Sequence, residues 1–322
     1  MHKMLLAAAA AALFALPVQA TTSIHLSNYT LTGSYALDTL GGLGLEASAV
    51  TYARDRGTLF FVPDEGVGVV EISRTGVTLG TMGFANFPVN STSDGNDIEG
   101  ITYLGNGVLV VAEERLQDAW RFSFVNGGTV DMAAADSVAL DGTSTNIGNT
   151  GIEGISFDPR DGSFVAVKQD NPQALLAGGL SFAPLPGGGT STMTTLFSGA
   201  SLFGLNSLSD VQTLSPVDAL AGTAAADNLL VLSLDSRRLV EIDRTGSVLS
   251  SFDFSLLTAQ PIEGVTVDEN GVIYVVAEQG GGAATSRLFV LTPTSPIPEP
   301  GTWALMAGGL GLLGWQRRRA RG

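Results

Sequence analysis

The chain has 322 residues, 44% of them hydrophobic and 15% charged, with 41 glycines and no cysteine, a length that suits one large all-β domain. The missing cysteine excludes a disulfide scaffold, a thiol nucleophile and a cysteine-held zinc or iron–sulfur centre, and two histidines, His2 and His25, do not furnish a Ser-His-Asp triad or a histidine-rich metal site. Sixteen basic against 31 acidic residues give −15, and without the terminal Lys3, Arg317, Arg318, Arg319 and Arg321 the body carries 11 − 31 = −20, a surface that repels nucleic acid and attracts cations.

Residues 1–20 read as a secretory signal peptide, with Lys3 as the positive region, an apolar run over 4–16 and Val18-Gln19-Ala20 as a small-residue cleavage site. The stretch has no polar face to show to solvent, which argues against a helix of the folded body. Residues 27–37, around Tyr29-Thr30-Leu31-Thr32-Gly33-Ser34-Tyr35, alternate as a strand. They are expected to pair with the outer edge of the last repeat and so remove an exposed edge.

Self-similarity decides the architecture of the middle. Ile98-Glu99-Gly100-Ile101, Ile152-Glu153-Gly154-Ile155 and Ile262-Glu263-Gly264-Val265 echo one another, with weaker copies at Ala47-Ser48-Ala49-Val50 and Leu208-Ser209-Asp210-Val211. The equivalent positions Ser48, Glu99, Glu153, Ser209 and Glu263 are spaced by 51, 54, 56 and 54 residues. Asp-Gly or Asn-Gly turns such as Asn106-Gly107, Asp161-Gly162 and Asn270-Gly271 follow the echoes and lead into second apolar runs, the pattern of hairpins. Third strands follow at 68–72, 119–124, 238–242 and 287–291. Units of three or four antiparallel strands at this period predict an all-β, five-bladed β-propeller over residues 21–293. A sixth, degenerate blade would have to lie in the loop-rich stretch 177–206.

Residues 294–300 form a Pro-rich spacer ending in Pro298-Glu299-Pro300, and residues 301–322 combine a short apolar run with Arg317-Arg318-Arg319. In this order these parts resemble the PEP-CTERM sorting signals of exported bacterial proteins. The resemblance implies an exosortase-type processing enzyme as partner and delivery to the envelope or an exopolysaccharide matrix. The run is shorter than a comfortable bilayer span, and its arginines would hold the end on the cytoplasmic side, so the expectation is transient inner-membrane anchoring; a permanent anchor is the alternative.

The repeated Ile-Glu-Gly-Ile, with second-strand endings Val62-Pro63-Asp64, Val111-Ala112-Glu113-Glu114, Val167-Lys168-Gln169-Asp170 and Val276-Ala277-Glu278, resembles the SdiA-regulated (YjiK/CarP-like) family of exported propellers from about residue 45 to 291. Leu234 departs from the pattern, standing where an acidic residue is expected. The resemblance implies a calcium-linked role and a phytase-like proposal.

In a propeller the innermost strands line a central channel, so Ser48, Glu99, Glu153, Ser209 and Glu263 are expected to converge there. A second tier of Asp64, Glu113, Lys168 and Glu278 is expected at the ends of the second strands. Crowded carboxylates must be protonated, paired with Lys168 or bound to a cation. An oxygen-only donor set of Glu99, Glu153, Glu263, Glu113, Glu278 and Asp64 suits Ca²⁺ best and Mg²⁺ less well. The alternative is that each glutamate caps its own blade by accepting backbone N–H bonds. Asp94-Gly95-Asn96-Asp97 offers further oxygens or forms a plain turn. Lys168, the one lysine of the body, would meet a substrate phosphate or a neighbouring acid. The expected function is a Ca²⁺-binding envelope protein that binds a polysaccharide or protein partner without catalysis. A Ca²⁺-dependent phosphoester hydrolase is the alternative, disfavoured by the scarcity of basic residues.

Overall fold

In the computed structural model, residues 21–64, 67–88, 96–144, 146–295 and 297 are described. The strands assemble into five blades of antiparallel strands, as the repeat predicts, with a short strand Thr129–Asp131 added in parallel to the outer edge of the first. Blade 1 runs from the inner strand Ala47–Ala53 outward through Thr58–Pro63, Gly68–Ile72 and Thr78–Ala85. Blade 2 has Ile98–Gly105, Val108–Glu113, Asp118–Ser123 and Asp136–Ala139. Blade 3 has Ile152–Asp158, Ser163–Lys168, Gln173–Gly178 and Thr194–Gly199. Blade 4 has Asp210–Thr213, Leu229–Ser233, Arg238–Ile242 and Val248–Asp253.

Blade 5 takes three strands from the C-terminal part, Ile262–Val267, Ile273–Ala277 and Arg287–Pro293, and its outer strand, Tyr29–Ala36, from the N-terminal part. The expected closure is therefore present, with Tyr29 opposite Pro293 and Ala36 opposite Arg287. Just before this strand, the buried Glu241 carboxylate of blade 4 accepts from Ser23 Oγ at 2.5 Å and from the Ile24 N–H at 3.0 Å. The N-terminal segment thus grips two blades. Stretch 177–206 holds no further blade: it supplies an outer strand of blade 3, a two-stranded ribbon (Leu180–Ser181 with Thr190–Ser191) and a strand, Ala183–Pro184, that pairs with blade 2.

Strand alternation explains the core. Every residue of Leu229–Ser233 is buried, because each blade face is covered by a neighbouring blade. Leu230 and Leu232 pack towards blade 5 with Ile262, Val265 and Ile273, whereas Leu229 and Val231 pack towards blade 3 with Val165 and Val167. The same division recurs around the ring: one apolar cluster lies between each adjacent pair of blades, including blades 5 and 1. Trp120 and Phe122 belong to the cluster between blades 1 and 2, with Trp120 edge-on to Phe87 at 4.8 Å, and so serve packing.

Around the axis the inner strands approach closely enough to exchange hydrogen bonds. The Tyr103 N–H of blade 2 donates to Thr51 Oγ1 of blade 1, Phe157 N–H to Thr102 Oγ1, Thr213 N–H to Ser156 Oγ, and Tyr52 N–H to Thr266 Oγ1, at 3.0–3.1 Å. Between blades 4 and 5 the link is Thr266 Oγ1 donating to Gln212 Oε1 at 3.0 Å. This approach requires glycine in the repeated motif: a Cβ on Gly264 would lie 2.7 Å from Ala49 Cα, and one on Gly154 2.6 Å from Asp210 Cα. Gly264→Ala is expected to destabilise by about 1–3 kcal/mol or more, with a melting point lower by about 2–4 °C per kcal/mol. Gly83→Ala, whose Cβ would meet nothing closer than 3.6 Å, is expected to leave the melt within about 2 °C of wild type, a contrast that thermal unfolding reads directly.

Candidate functional site

The glutamates of the repeat owe their direction to a backbone irregularity. In blades 1, 2, 3 and 5 the pairing of the inner strand with the second strand slips by one residue, between Ala47 and Ala49, Ile98 and Gly100, Ile152 and Gly154, and Ile262 and Gly264. Ser48, Glu99, Glu153 and Glu263 are the residues left over, and such bulges re-aim a side chain out of the sheet alternation. Blade 4 does the same at Ser209, whose N–H bonds Leu232 O although Leu232 pairs with Asp210.

Glu99, Glu153 and Glu263 consequently meet at one mouth of the channel, around a cavity of about 200 Å³. Asp64 and Glu278 join them from the second strands, as expected, and so do Asp97 and Glu114. Seven carboxyl groups thus face one small space, with Arg115 as the cationic side chain among its lining residues. Arg115 is held at 2.5 Å from Asp97 Oδ2 and donates from Nε to Asn149 Oδ1 at 2.9 Å. Leu234 also lines the cavity, so blade 4 contributes no charge at that place.

Four expected residues are not brought to this space. Ser48 Oγ donates to Glu46 O at 3.1 Å and Ser209 Oγ to Ile262 O at 3.4 Å, so both hydroxyls serve the backbone. Glu113 pairs with Ile98 and Lys168 with Ile152, one residue before the channel-facing register of Asp64, Glu114, Gln169 and Glu278. A slip of one residue sends a side chain to the opposite face of a strand. Glu113 is buried there, its Oε2 accepting from the Leu116 N–H at 2.6 Å, and Lys168 Nζ donates to the carbonyls of Asp170 and Pro172. Of the Glu113-Glu114 pair it is Glu114, one residue beyond the partner of Ile98, that matches Asp64 and Glu278 and reaches the cavity. Of the loop ahead of Glu99, Asn96 and Asp97 line the cavity, while Asp94 and Gly95 lie outside the described residues. Pro298, Glu299, Pro300, Arg317, Arg318 and Arg319 also lie outside them, as does the apolar tail; among the described residues no helix is long and apolar enough to cross a membrane.

Burial and mutual repulsion dominate the electrostatics. Burial first, then Glu153 and Asp97, holds the Glu99 carboxyl well above its usual range, and burial with Glu114 does the same to Glu153. Glu263 is raised by burial and by Glu278 and Asp64. Glu114 and Glu278 are each pushed up to about 7, chiefly by burial. Glu114 is steadied by the Gly151 N–H, which donates to its Oε1 at 3.1 Å. Deeper in the channel, burial also raises Asp210, although its two oxygens accept from the Val211 and Val265 N–H groups at 2.7 Å.

The stability consequence has a definite sign. A carboxyl whose folded value exceeds its unfolded one binds protons more tightly when folded, so its contribution is complete at low pH and is lost as pH rises. For Glu114 and Glu278 the window runs from 4.5 to about 7. In EDTA the protein is expected to melt lower at pH 8 than at pH 5, by about 2–4 °C for each kcal/mol of linkage. Glu153→Gln should flatten this dependence and the exposed Asp218→Asn should not, as melts across the pH range would read.

The SdiA-regulated family model matches residues 22–280, and the PEP-CTERM protein-sorting motif matches residues 296–320. Among solved structures, the glutaminyl cyclase of Myxococcus xanthus is similar at 13% identity, with a TM-score of 0.50 over 82% of this chain and 95% of that one. A luciferin-regenerating enzyme is similar at 11% identity, with a TM-score of 0.44 over 83% of this chain and 98% of that one. At 13% identity the likeness to the cyclase is one of fold alone.

Proposed function

The chain belongs to the SdiA-regulated family and carries a sorting motif that directs export to the envelope, and from this premise we propose that its acidic channel mouth holds a calcium ion in a partner-binding, non-catalytic propeller. The observation that carries the reading is the cluster of Asp64, Asp97 and Glu99, which offer oxygens all within 4.8 Å of one another. Two oxygens that share one calcium at about 2.3–2.6 Å cannot lie much farther apart than this.

The rest of the cavity agrees with that donor chemistry. Asn96 Oδ1 is buried beside these acids without a hydrogen-bond partner, an acceptor in want of a positive group. Glu153, Glu263, Glu114 and Glu278 supply further carboxylates, and neither sulfur nor imidazole is at hand, which favours a hard oxygen-seeking cation. A bound divalent ion would neutralise carboxylates that otherwise stay protonated, and so tie blades 1, 2, 3 and 5 to one centre.

Size argues against an organic substrate at this mouth. About 200 Å³ is smaller than the roughly 300–1,000 Å³ of small-molecule pockets, and holds an ion with a few waters. Among the described residues, Arg115, already engaged with Asp97 and Asn149, is the one cationic side chain lining it, whereas a polyphosphorylated ester needs several. The phosphoester hydrolase reading therefore draws no support from the geometry.

Calcium at a hundredfold excess over Kd is expected to stabilise the purified protein by about 2.7 kcal/mol, read as a rise in melting temperature over an EDTA control. Magnesium at the same concentration should give a smaller rise. Glu99→Gln and Glu153→Gln should each abolish most of the calcium effect. A melting temperature indifferent to calcium and EDTA in wild type would show the glutamates to be blade caps.

A further inference from the structure

The inner strands that carry the acids at their beginnings carry a different set of groups at their ends. About four residues, or roughly 13 Å, beyond Glu99 lies the opposite mouth of the channel, a cavity of about 540 Å³. Its volume falls within the range of pockets that enclose a small organic molecule. Tyr52, Tyr103 and Phe157, at equivalent places in blades 1, 2 and 3, give it aromatic walls. Thr51, Thr102 and Gln212 place hydroxyl and amide groups on its inner side.

The cation at this mouth is already paired: Arg54 Nη2 is bound to Asp218 Oδ2 at 2.8 Å, while Asp55 Oδ2 accepts from the Asn106 N–H at 2.9 Å. The hydroxyls are only half used. Thr51 and Thr102 are each 5% exposed, and each accepts one backbone N–H from the next blade, which leaves its own hydrogen to be donated. Tyr103 stacks one face on Phe60 at 5.9 Å, which fixes the ring as a rigid wall.

We propose that this second mouth binds a neutral saccharide. Aromatic surfaces suit the C–H face of a sugar ring, while fixed hydroxyl and amide groups suit its hydroxyls. An anionic ligand would find no unpaired cation among the described lining residues, since Arg54 is held by Asp218. A purely apolar one would bury the free hydroxyl hydrogens of Thr51 and Thr102 without partners, which is costly. Export to the envelope brings the site into a compartment where neutral glycans are at hand. The inference is independent of whether calcium occupies the acidic mouth.

Calorimetric titration of the purified protein in EDTA with cellotriose, maltotriose, chitotriose and the charged trigalacturonate tests it. At least one neutral trisaccharide is expected to bind, and trigalacturonate is not. Phe157→Leu, which keeps apolar bulk but removes the ring, and Tyr103→Ala should each weaken binding about tenfold, or 1.4 kcal/mol. Glu153→Gln, at the other mouth, should leave it unchanged. Should Tyr103→Ala fail to fold, Phe157→Leu still gives the answer. The proposal is overturned if no neutral trisaccharide binds, if trigalacturonate binds in their place, if affinity survives Phe157→Leu, or if Glu153→Gln removes it.

Discussion

Five strands must run side by side around one axis, close enough for the backbone of each to bond a side chain of its neighbour. Most of the chemistry of this propeller follows from that constraint. The approach admits no Cβ at Gly154 or Gly264, and it lets Thr51, Thr102, Ser156 and Thr266 accept backbone N–H groups from the next blade. Blade 4 departs by carrying Asp210 where its neighbours have glycine or alanine. Its carboxylate then makes the link to the next blade itself, through the Val265 N–H. The ring is thus stitched by side chain–backbone bonds near the axis and by apolar clusters farther out. The strand Tyr29–Ala36 completes it, because a blade left with an open edge would neither be covered nor closed.

The same convergence sets the electrostatics. A bulge in each repeat turns one residue towards the axis, and in three blades that residue is a glutamate. Repetition therefore concentrates like charge in a space where water is scarce, and burial reinforces the repulsion. The carboxyl groups respond by retaining protons far above their ordinary range. A protonated ring and a cation-filled ring are two answers to one problem, and the unpartnered oxygen of Asn96 could accept from either a carboxyl O–H or a cation. Arg115 relieves the crowding in part, since it is committed to Asp97 and Asn149.

Periodicity made the architecture legible in the sequence. Spacings of 51 to 56 residues between equivalent positions, with hairpin turns after each, specify blades and their number, and the alternation at residues 29–35 specifies the closing strand. The three glutamates of the channel were legible for the same reason. The second tier was legible for Asp64 and Glu278 but not for blades 2 and 3, because its reading depends on register, and a bulge shifts register by one without leaving a mark in composition. Asp64 and Glu278 stand one residue beyond the pairing partners of Ala47 and Ile262, and the matching places in blades 2 and 3 are Glu114 and Gln169, not Glu113 and Lys168. Ser48 and Ser209 occupy the glutamate positions, yet a hydroxyl is short enough to be satisfied by a nearby carbonyl and stays out of the cavity. The third strand of blade 3, Gln173–Gly178, was also unmarked, since it merges into a glycine-rich loop.

The two ends of the channel differ because the motif is directional. The inner strands of blades 1, 2 and 3 begin with the bulged position and end in the hydroxyl and aromatic pairs Thr51-Tyr52, Thr102-Tyr103 and Ser156-Phe157, while blades 4 and 5 end in Gln212-Thr213 and Thr266-Val267. All five strands point the same way around the axis, so repetition collects charge at one mouth and neutral, hydrogen-bonding and aromatic groups at the other. A ring of interblade bonds lies on residues that line the neutral mouth, so that mouth is held without help from a ligand. At the acidic mouth the side chains repel, and the Gly151 N–H on Glu114 and Arg115 on Asp97 relieve part of that repulsion, the rest falling to protons or to a cation. An ion bound there would draw together strands whose far ends are already fixed by the hydroxyl ring. Its effect should therefore be to stiffen the acidic mouth while leaving the shape of the neutral one unchanged.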